Sequence, residues 1–347
     1  YKETSGQEVG DMVSLKDIAR ECQVSIATVS KALNDHPDIS EERKAMIRFK
    51  ADELGYHPNL FARKLKTKHS YNIGVLFTDE ANNGLTHDYF AAVLDSFKTT
   101  VEKNAYDLTF LNCNKSRKQR MSYLEHARYR GFDGVVIACV DFTDPEVLEL
   151  VQSDIPLVTV DYMFNDRMAV MSDNVKGIED LLSYIYGMGH RRIAYIHGAD
   201  SHVTRSRVSS FFRTAEKFGL EIPDEYVSES EYRDVEGAAK ATGKLLDLKK
   251  PPTCIMYPDD LSAFGGINII RERGLGIPED ISVVGYDGIR IARYVAPFLT
   301  TLKQDTLHLG QYAAEKLIDL IEHPRTAVRE ITNVRGTVFE GQTIRKM

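Results

Sequence analysis

The hydrophobic positions change period partway along the chain. From Ser14, Leu15, Ile18, Ala19 and Cys22 fall at helical spacing behind a capping serine, with Asp17 three positions on, which predicts a helix of about two turns. Gln23 and Val24 follow, and Ser25 caps a second short helix reaching Asn34, with Val29, Ala32 and Leu33 turned inward. A third fits 40–54, with Ser40 as cap, Glu41 and Glu42 in its first turn, and Ala45, Met46, Ile47, Phe49 and Leu54 as its apolar stripe; Gly55 stops it. Pro58 then breaks the chain, Asn59 can cap, and 60–66 predicts a further helix too short to be stable alone.

From Asn72 the pattern becomes short apolar runs alternating with amphipathic stretches. Strands are expected at 73–77, 108–111, 134–138 and 157–160, with helices at 88–103, 118–130 and 144–152. The series restarts after Asp173, with helices from there to Met188 and at 205–218, 235–246 and 261–273, and strands at 192–196, 226–228, 254–257 and 281–284. Continuous apolar strands separated by helices of this length mean parallel sheets covered on both faces. Two doubly wound α/β halves are implied, and ligands in such folds sit beyond the carboxyl ends of the strands, here in the cleft between the halves.

Composition narrows the class. The chain has 347 residues, 43% hydrophobic and 27% charged, enough for two or three domains. No apolar run approaches the ~18 residues that a membrane span needs. Residues 1–11 are polar and acidic where a secretion signal would be basic and then apolar, so a cytoplasmic location is expected. Cys22, Cys113, Cys139 and Cys254 lie far apart, without C-x-x-C spacing or histidines at ligand intervals, and read as free thiols; no metal and no cofactor is expected.

A net charge of −7 argues mildly against a nucleic-acid partner, but the average hides an asymmetry. Residues 12–70 hold 11 Lys and Arg against 8 Asp and Glu, whereas 1–11 hold 1 against 3. The basic part is small and N-terminal, where the first two helices make a helix-turn-helix. Ile26 and Ala27, with Lys31 a turn later, would face base edges in the major groove, the apolar pair against thymine methyls and the lysine on guanine. Ser25, Thr28, Ser30 and Asn34 offer donors to phosphates. Leucines among Arg63, Lys64, Lys66 and Lys68 suit a minor-groove wedge. Pattern alone also permits a helical accessory module followed by a solvated basic linker.

The runs Val13-Ser-Leu-Lys-Asp-Ile-Ala19, Val24-Ser-Ile-Ala-Thr-Val-Ser-Lys-Ala-Leu-Asn34 and Leu54-Gly-Tyr-His-Pro-Asn-Leu-Phe-Ala-Arg-Lys-Leu65 resemble the LacI/GalR (lac repressor and galactose repressor) family of bacterial transcription regulators. The resemblance implies a homodimer on a pseudo-palindromic double-stranded operator. A hinge helix would place Leu65 as wedge beside Lys66, with Asn34, Tyr56 and Asn59 as further DNA contacts. It departs at Gln23, where the family usually has glycine, so a side-chain-bearing residue is expected at positive φ. Lys31 stands where arginine is usual, which weakens bidentate guanine readout. Met12 falls where such proteins usually start, so 1–11 are expected to be a tag or disordered extension, 12–57 the DNA-binding domain and 58–71 the hinge.

Residues 72–347 resemble that family's periplasmic-binding-protein-like (type I) effector domain, most specifically at Gly189-His-Arg-Arg-Ile-Ala194, Ile277-Pro-Glu-Asp-Ile-Ser-Val-Val-Gly-Tyr-Asp287 and Leu299-Thr-Thr-Leu-Lys-Gln304. An N subdomain of about 72–172 and 304–331 and a C subdomain of about 173–303 and 332–345 are expected. Strand-end residues are the ligand candidates: Asp88, Tyr89 and Phe90 opening the first helix, Arg207 in the first turn of its own, then Tyr232, Asp259 and Asp287. The resemblance makes Arg207 and Asp287 the pair that grips the effector, with Tyr232 and Tyr89 or Phe90 as flat walls. Carboxylates accept from hydroxyls, arginine donates and aromatic faces lie against a ring, which fits a neutral polar compound, best a sugar. Asp259 stands where the family often has asparagine, and the extra carboxylate disfavours a strongly anionic effector. Enzymatic signatures are missing: there is no G-x-G-x-x-G after the first strand, no phosphate loop, no nucleophile elbow and no H-E-x-x-H, so no catalytic residue is assigned. The expected function is a repressor, probed against two alternatives, a sugar or nucleoside sensor without operator activity and a sugar-acting enzyme using the clustered carboxylates.

Overall fold

Capping and apolar spacing build the N-terminal helices where they were expected. A computed structural model describes residues 13–56, 69–78, 84–111 and 121–347, in two units that divide between Ser70 and Tyr71. The first contains α1 (Leu15–Glu21), α2 (Ile26–Leu33) and α3 (Glu41–Glu53). The Asp17 carboxylate reaches back to accept from the Ser14 N–H at 3.0 Å and its hydroxyl at 2.6 Å. Ser25 Oγ accepts from the Thr28 N–H at 3.0 Å. Between them Gln23 sits at φ 53°, and the next N–H, of Val24, returns to the Ala19 carbonyl at 3.0 Å. Ile18, Ala19, Val29, Ala32, Ile47 and Ala51 form the small core.

The third helix departs from its expected stripe. Met46 and Phe49 are exposed, at 46% and 71%, and Ala45 lies outside as well; the inward positions are Lys44, Ile47 and Ala51. Spacings of three and four hold those residues on one face, whereas Phe49 lies two positions, about 200°, from Ile47. Ser40 occupies the N-cap position without a side-chain cap bond. The buried Lys44 instead anchors the helix start, with Nζ 2.7 Å from Glu41 and 3.0 Å from Asp35.

The second unit holds two six-stranded sheets. The first contains β1 (Asn72–Phe77), β2 (Asp107–Phe110), β3 (Gly134–Ala138), β4 (Leu157–Val160), β5 (Met168–Ser172) and β11 (Ile331–Val334), in the order β11-β5-β4-β3-β1-β2 and parallel throughout. Helices α4 (Asp88–Lys103) and α12 (Thr306–Glu322) cover one face through Val93, Phe97, Leu309, Ala313 and Leu317. A Cβ on Gly310 would come within 2.2 Å of the Val93 carbonyl, so glycine there lets the two helices meet backbone to backbone. The other face is covered by α5 (Tyr123–Arg130) and α6 (Pro145–Gln152).

The second sheet contains β6 (Ile193–His197), β7 (Val227–Glu229), β8 (Cys254–Met256), β9 (Ser282–Asp287), β10 (Thr300–Lys303) and β12 (Thr337–Phe339), in the order β12-β10-β9-β8-β6-β7, with only β12 antiparallel. Helices α7 (Asn174–Gly187) and α8 (His202–Lys217) pack on one face. Helices α9 (Val235–Leu246), α10 (Asp260–Glu272) and the short α11 (Arg290–Tyr294) pack on the other. The chain passes between sheets at 173, at 304–305 and at 335–336. The last passage falls beyond the 331 boundary drawn from the sequence, because β11 runs on to Val334 beside β5.

Candidate functional site

On the N-terminal unit the start of α2 is free of the core. Ile26 is 48% exposed and Ala27 and Lys31 are exposed too, while Val29 and Ala32 on the opposite face are sealed. Lys31 Nζ lies 2.5 Å from Asp38 Oδ2, and Asp38 also takes His36 at 2.6 Å. The candidate base reader is thus held by an acid from the loop before α3. Ser25 and Thr28 are joined hydroxyl to hydroxyl at 2.8 Å, and Asn34 Nδ2 donates to the Ser30 carbonyl at 2.6 Å. Tyr56 packs against the helical core, and burial raises its phenol above the usual tyrosine range. Asn59, Leu65 and Lys66 lie outside the described residues.

In the larger unit, the carboxyl ends of the strands bring most of the ligand candidates together. Arg207 is 5% exposed. It stands in the second turn of α8 rather than the first, because Ser201 caps the helix by accepting from the Thr204 N–H at 3.1 Å. Its Nε donates to Asn174 Oδ1 at 2.8 Å and its Nη1 to the Pro258 carbonyl at 3.0 Å. The guanidinium carbon lies over the Tyr286 ring, 3.6 Å from the centroid. Burial opposes its charge, but the surrounding groups, the Asp287 carboxylate among them, favour it and keep it cationic.

Asp287 ends β9 at φ 99°, and its Oδ1 accepts from Gln304 Nε2 at 2.7 Å. Burial pushes its carboxyl up to about 6, against the pull of Arg207 and with the repulsion of Asp259 and Asp161. Arg207 and Asp287 feel each other's charge without forming a direct ion pair among the described residues. A hydroxyl set between them can donate to the carboxylate and accept from the guanidinium.

Tyr89 is buried and donates to Asp161 Oδ2 at 2.5 Å, with Ser172 Oγ at 2.8 Å. Burial and Asp161 hold its phenol well above the usual range. Phe90 meets the Phe77 ring edge-on at 5.9 Å and the Tyr89 ring at 4.9 Å. Tyr232 follows β7, where its hydroxyl lies 2.8 Å from Thr204 Oγ1 and its ring covers Gly198 so closely that a Cβ there would fall 2.2 Å away. Asp88 is half exposed and pairs with Arg233 at 3.4 Å.

Asp259 is differently employed than expected. Its Oδ1 accepts from the Ser262 N–H at 2.8 Å, and its Oδ2 from Ser262 Oγ at 2.9 Å and the Arg233 N–H at 2.7 Å, so it caps α10 with both oxygens occupied. Asp260 beside it accepts from the Ile289 N–H at 2.7 Å and Thr301 Oγ1 at 2.6 Å. Burial raises the Asp260 carboxyl far above the ordinary range. The first bond ties α10 to the loop after Asp287 and the second ties it to β10. Asn174, Tyr286, Gln304, Asp161 and Arg233 belong to the same cluster without having been singled out. Three of them adjoin landmarks already noted, Asn174 after Asp173, Tyr286 before Asp287 and Gln304 at the end of 299–304, but no periodicity marks a residue as lining a cleft.

Residues 14–59 match the family described as bacterial regulatory proteins, lacI family, and residues 182–344 match the periplasmic binding protein-like domain. The HTH-type transcriptional repressor PurR of Pectobacterium atrosepticum is 32% identical over 339 residues, covering 96% of this chain and 97% of its own. The ribose operon repressor of Haemophilus influenzae is 31% identical, covering 93% and 97%. Both are named repressors rather than enzymes. Among solved structures, the lac repressor dimer bound to operator and the anti-inducer ONPF superposes with a TM-score of 0.81 at 23% identity, covering 96% of this chain and 100% of that one. With its helix-turn-helix, its two-sheet α/β unit and relatives spanning nearly its full length, the chain belongs to the lacI family of bacterial regulatory proteins and is a DNA-binding transcription regulator.

Proposed function

We propose that the chain is a homodimeric repressor acting in the cytoplasm on a pseudo-palindromic operator, with affinity set by a hydroxyl-rich small molecule held between its two α/β subdomains. The observation that carries the effector half is the separation of Arg207 from Asp287. Arg207 is buried and Asp287 half-buried, each is anchored by its own neighbours, and no direct ion pair joins them among the described residues. A guanidinium and a carboxylate held in this way suit a polar compound bearing both donor and acceptor, as a sugar hydroxyl does. The relative named for a ribose operon supports a carbohydrate in that role. Tyr89, Phe90 and Tyr232 supply the flat walls.

On DNA, Ile26, Ala27 and Lys31 read the major groove while Ser25, Thr28, Ser30, Asn34 and Tyr56 meet phosphates. Residues 58–71 form the hinge, with Leu65 as the minor-groove wedge flanked by Lys66 and with Asn59 at its start. Effector binding changes how the subdomains close and thereby the operator affinity, a coupling of typically ~1–3 kcal/mol. A thermal-shift screen of neutral sugars and nucleosides, followed by operator mobility shift with the best hit, tests the reading. Arg207→Met is expected to abolish the response to that hit while leaving operator binding without it unchanged. A hit whose shift survives in the Met variant places the effector elsewhere.

A further inference from the structure

Apart from one ring contact of Tyr162 with His202, centroids 6.2 Å apart, the polar contacts between the two subdomains of the larger unit gather at two places among the described residues. Near the three chain passages, Gln304 donates to Asp287 at 2.7 Å and the Asp173 N–H to the Val334 carbonyl at 2.9 Å. These join segments that the covalent chain already holds together. The second place lies at the other end of both sheets. Counting away from the passages, β7 is the last strand of the second sheet and β1 the last but one of the first. Arg233, just after β7, reaches across to the start of α4, which follows β1. Its Nη1 lies 3.4 Å from Asp88 Oδ2 and its Nη2 3.3 Å from the Thr86 carbonyl.

The root of this side chain is rigid and its head is loosely held. Arg233 occupies the left-handed region at φ 62°, and its N–H donates to the Asp259 carboxylate that caps α10. The side chain is 12% exposed. Both of its bonds across the cleft are long, and its Nε is buried without a hydrogen-bond partner among the described residues. A guanidinium so placed has left most of its water without gaining strong acceptors in exchange. Positive φ costs a side-chain-bearing residue free energy, and here it turns Arg233 toward the facing subdomain.

We infer that Arg233 is a clasp across the mouth of the cleft, holding the two subdomains together in the absence of ligand. Rotation about the passages displaces the remote ends of the sheets most, so opening breaks the Arg233–Asp88 contact before any contact near Gln304. Because the bonds are long and half of the pair is exposed, the clasp is weak enough to be traded for a ligand. The unpaired Nε is a donor that an arriving acceptor oxygen can take. This inference stands apart from the effector's identity.

Hydrogen exchange on the full chain without any ligand tests it. Asp88→Asn and Arg233→Gln should each speed amide exchange by about two- to fivefold in both 84–90 and 230–236, as expected for losing a long, half-exposed ion pair that links two segments. Acceleration confined to the substituted segment, or none, overturns the clasp. Should Arg233→Gln disturb its own loop, Asp88→Asn decides alone. Faster exchange at 230–236, in the opposite subdomain, supports the clasp; unchanged exchange there removes it.

Discussion

Replacing Asp287 with asparagine should stabilise the protein at neutral pH while depriving the cleft of its charged acceptor. The parent carboxyl is raised from 3.8 to about 6, chiefly by burial and despite Arg207 nearby. In the unfolded chain it releases its proton about two pH units earlier. Between those values the folded state binds more protons than the unfolded one, so this group makes stability fall as pH rises. Its stabilising contribution is complete below about pH 4 and lost by the time pH passes about 6. Two units correspond to about 3 kcal/mol. Asparagine keeps an acceptor for Gln304 and carries no charge to bury, so the variant should be up to about 3 kcal/mol more stable than the parent at pH 8 and equal to it at pH 3.5. Carboxyls remote from Asp287 titrate alike in both proteins and cancel in the difference, whereas Asp260, whose proton the Asp287 charge helps to hold, is eased in the same direction when that charge is removed. Thermal unfolding of the two proteins in parallel from pH 3.5 to 8, followed by circular dichroism, measures that difference directly. A variant no more stable than the parent at pH 8, or a gap that does not change with pH, would refute the reasoning.

Other expectations follow from single contacts. Asp38→Asn frees Lys31 from its 2.5 Å partner and removes a negative charge beside the candidate base reader, so operator affinity at low salt should rise by about two- to fivefold; a mobility shift showing no gain would mean that Lys31 is not a DNA contact. Gln23→Gly relieves the positive φ in the turn, and exchange at the Ile18 and Val29 amides should slow about two- to fivefold, in keeping with roughly 0.5–1 kcal/mol gained. Gly198→Ala places a methyl 2.2 Å from the Tyr232 ring and should cost about 1–3 kcal/mol in thermal stability. It should also weaken binding of whichever sugar the screen yields, and an unaltered affinity would exclude Tyr232 as a wall of the site.

What the sequence alone determined was local and periodic. Ser14 and Ser25 behind apolar residues at helical spacing set the first two helices, and the apolar runs at Ile73, Gly134 and Leu157 set parallel strands covered on both faces, because such patterns have few other ways to hide from water. The positive φ at Gln23 was legible too, through departure from the glycine expected there. Where several residues of one helix were apolar, composition misled: Met46 and Phe49 look like core, but only the packing of α1 and α2 decides which side of α3 faces inward, and it chose Lys44, Ile47 and Ala51. The cleft residues divide in the same manner. Arg207 and Asp287 could be named from motifs, whereas the placement of Arg207 over Tyr286 and its bond to Asn174 join residues 33 or more positions apart. Asp259 caps α10 through Ser262, three positions on, a local arrangement; what only the fold adds is the Arg233 N–H on its second oxygen. How much of a carboxylate is left for a ligand is decided by the donors the fold delivers to it, and the distant ones are assembled only when separate strands end side by side.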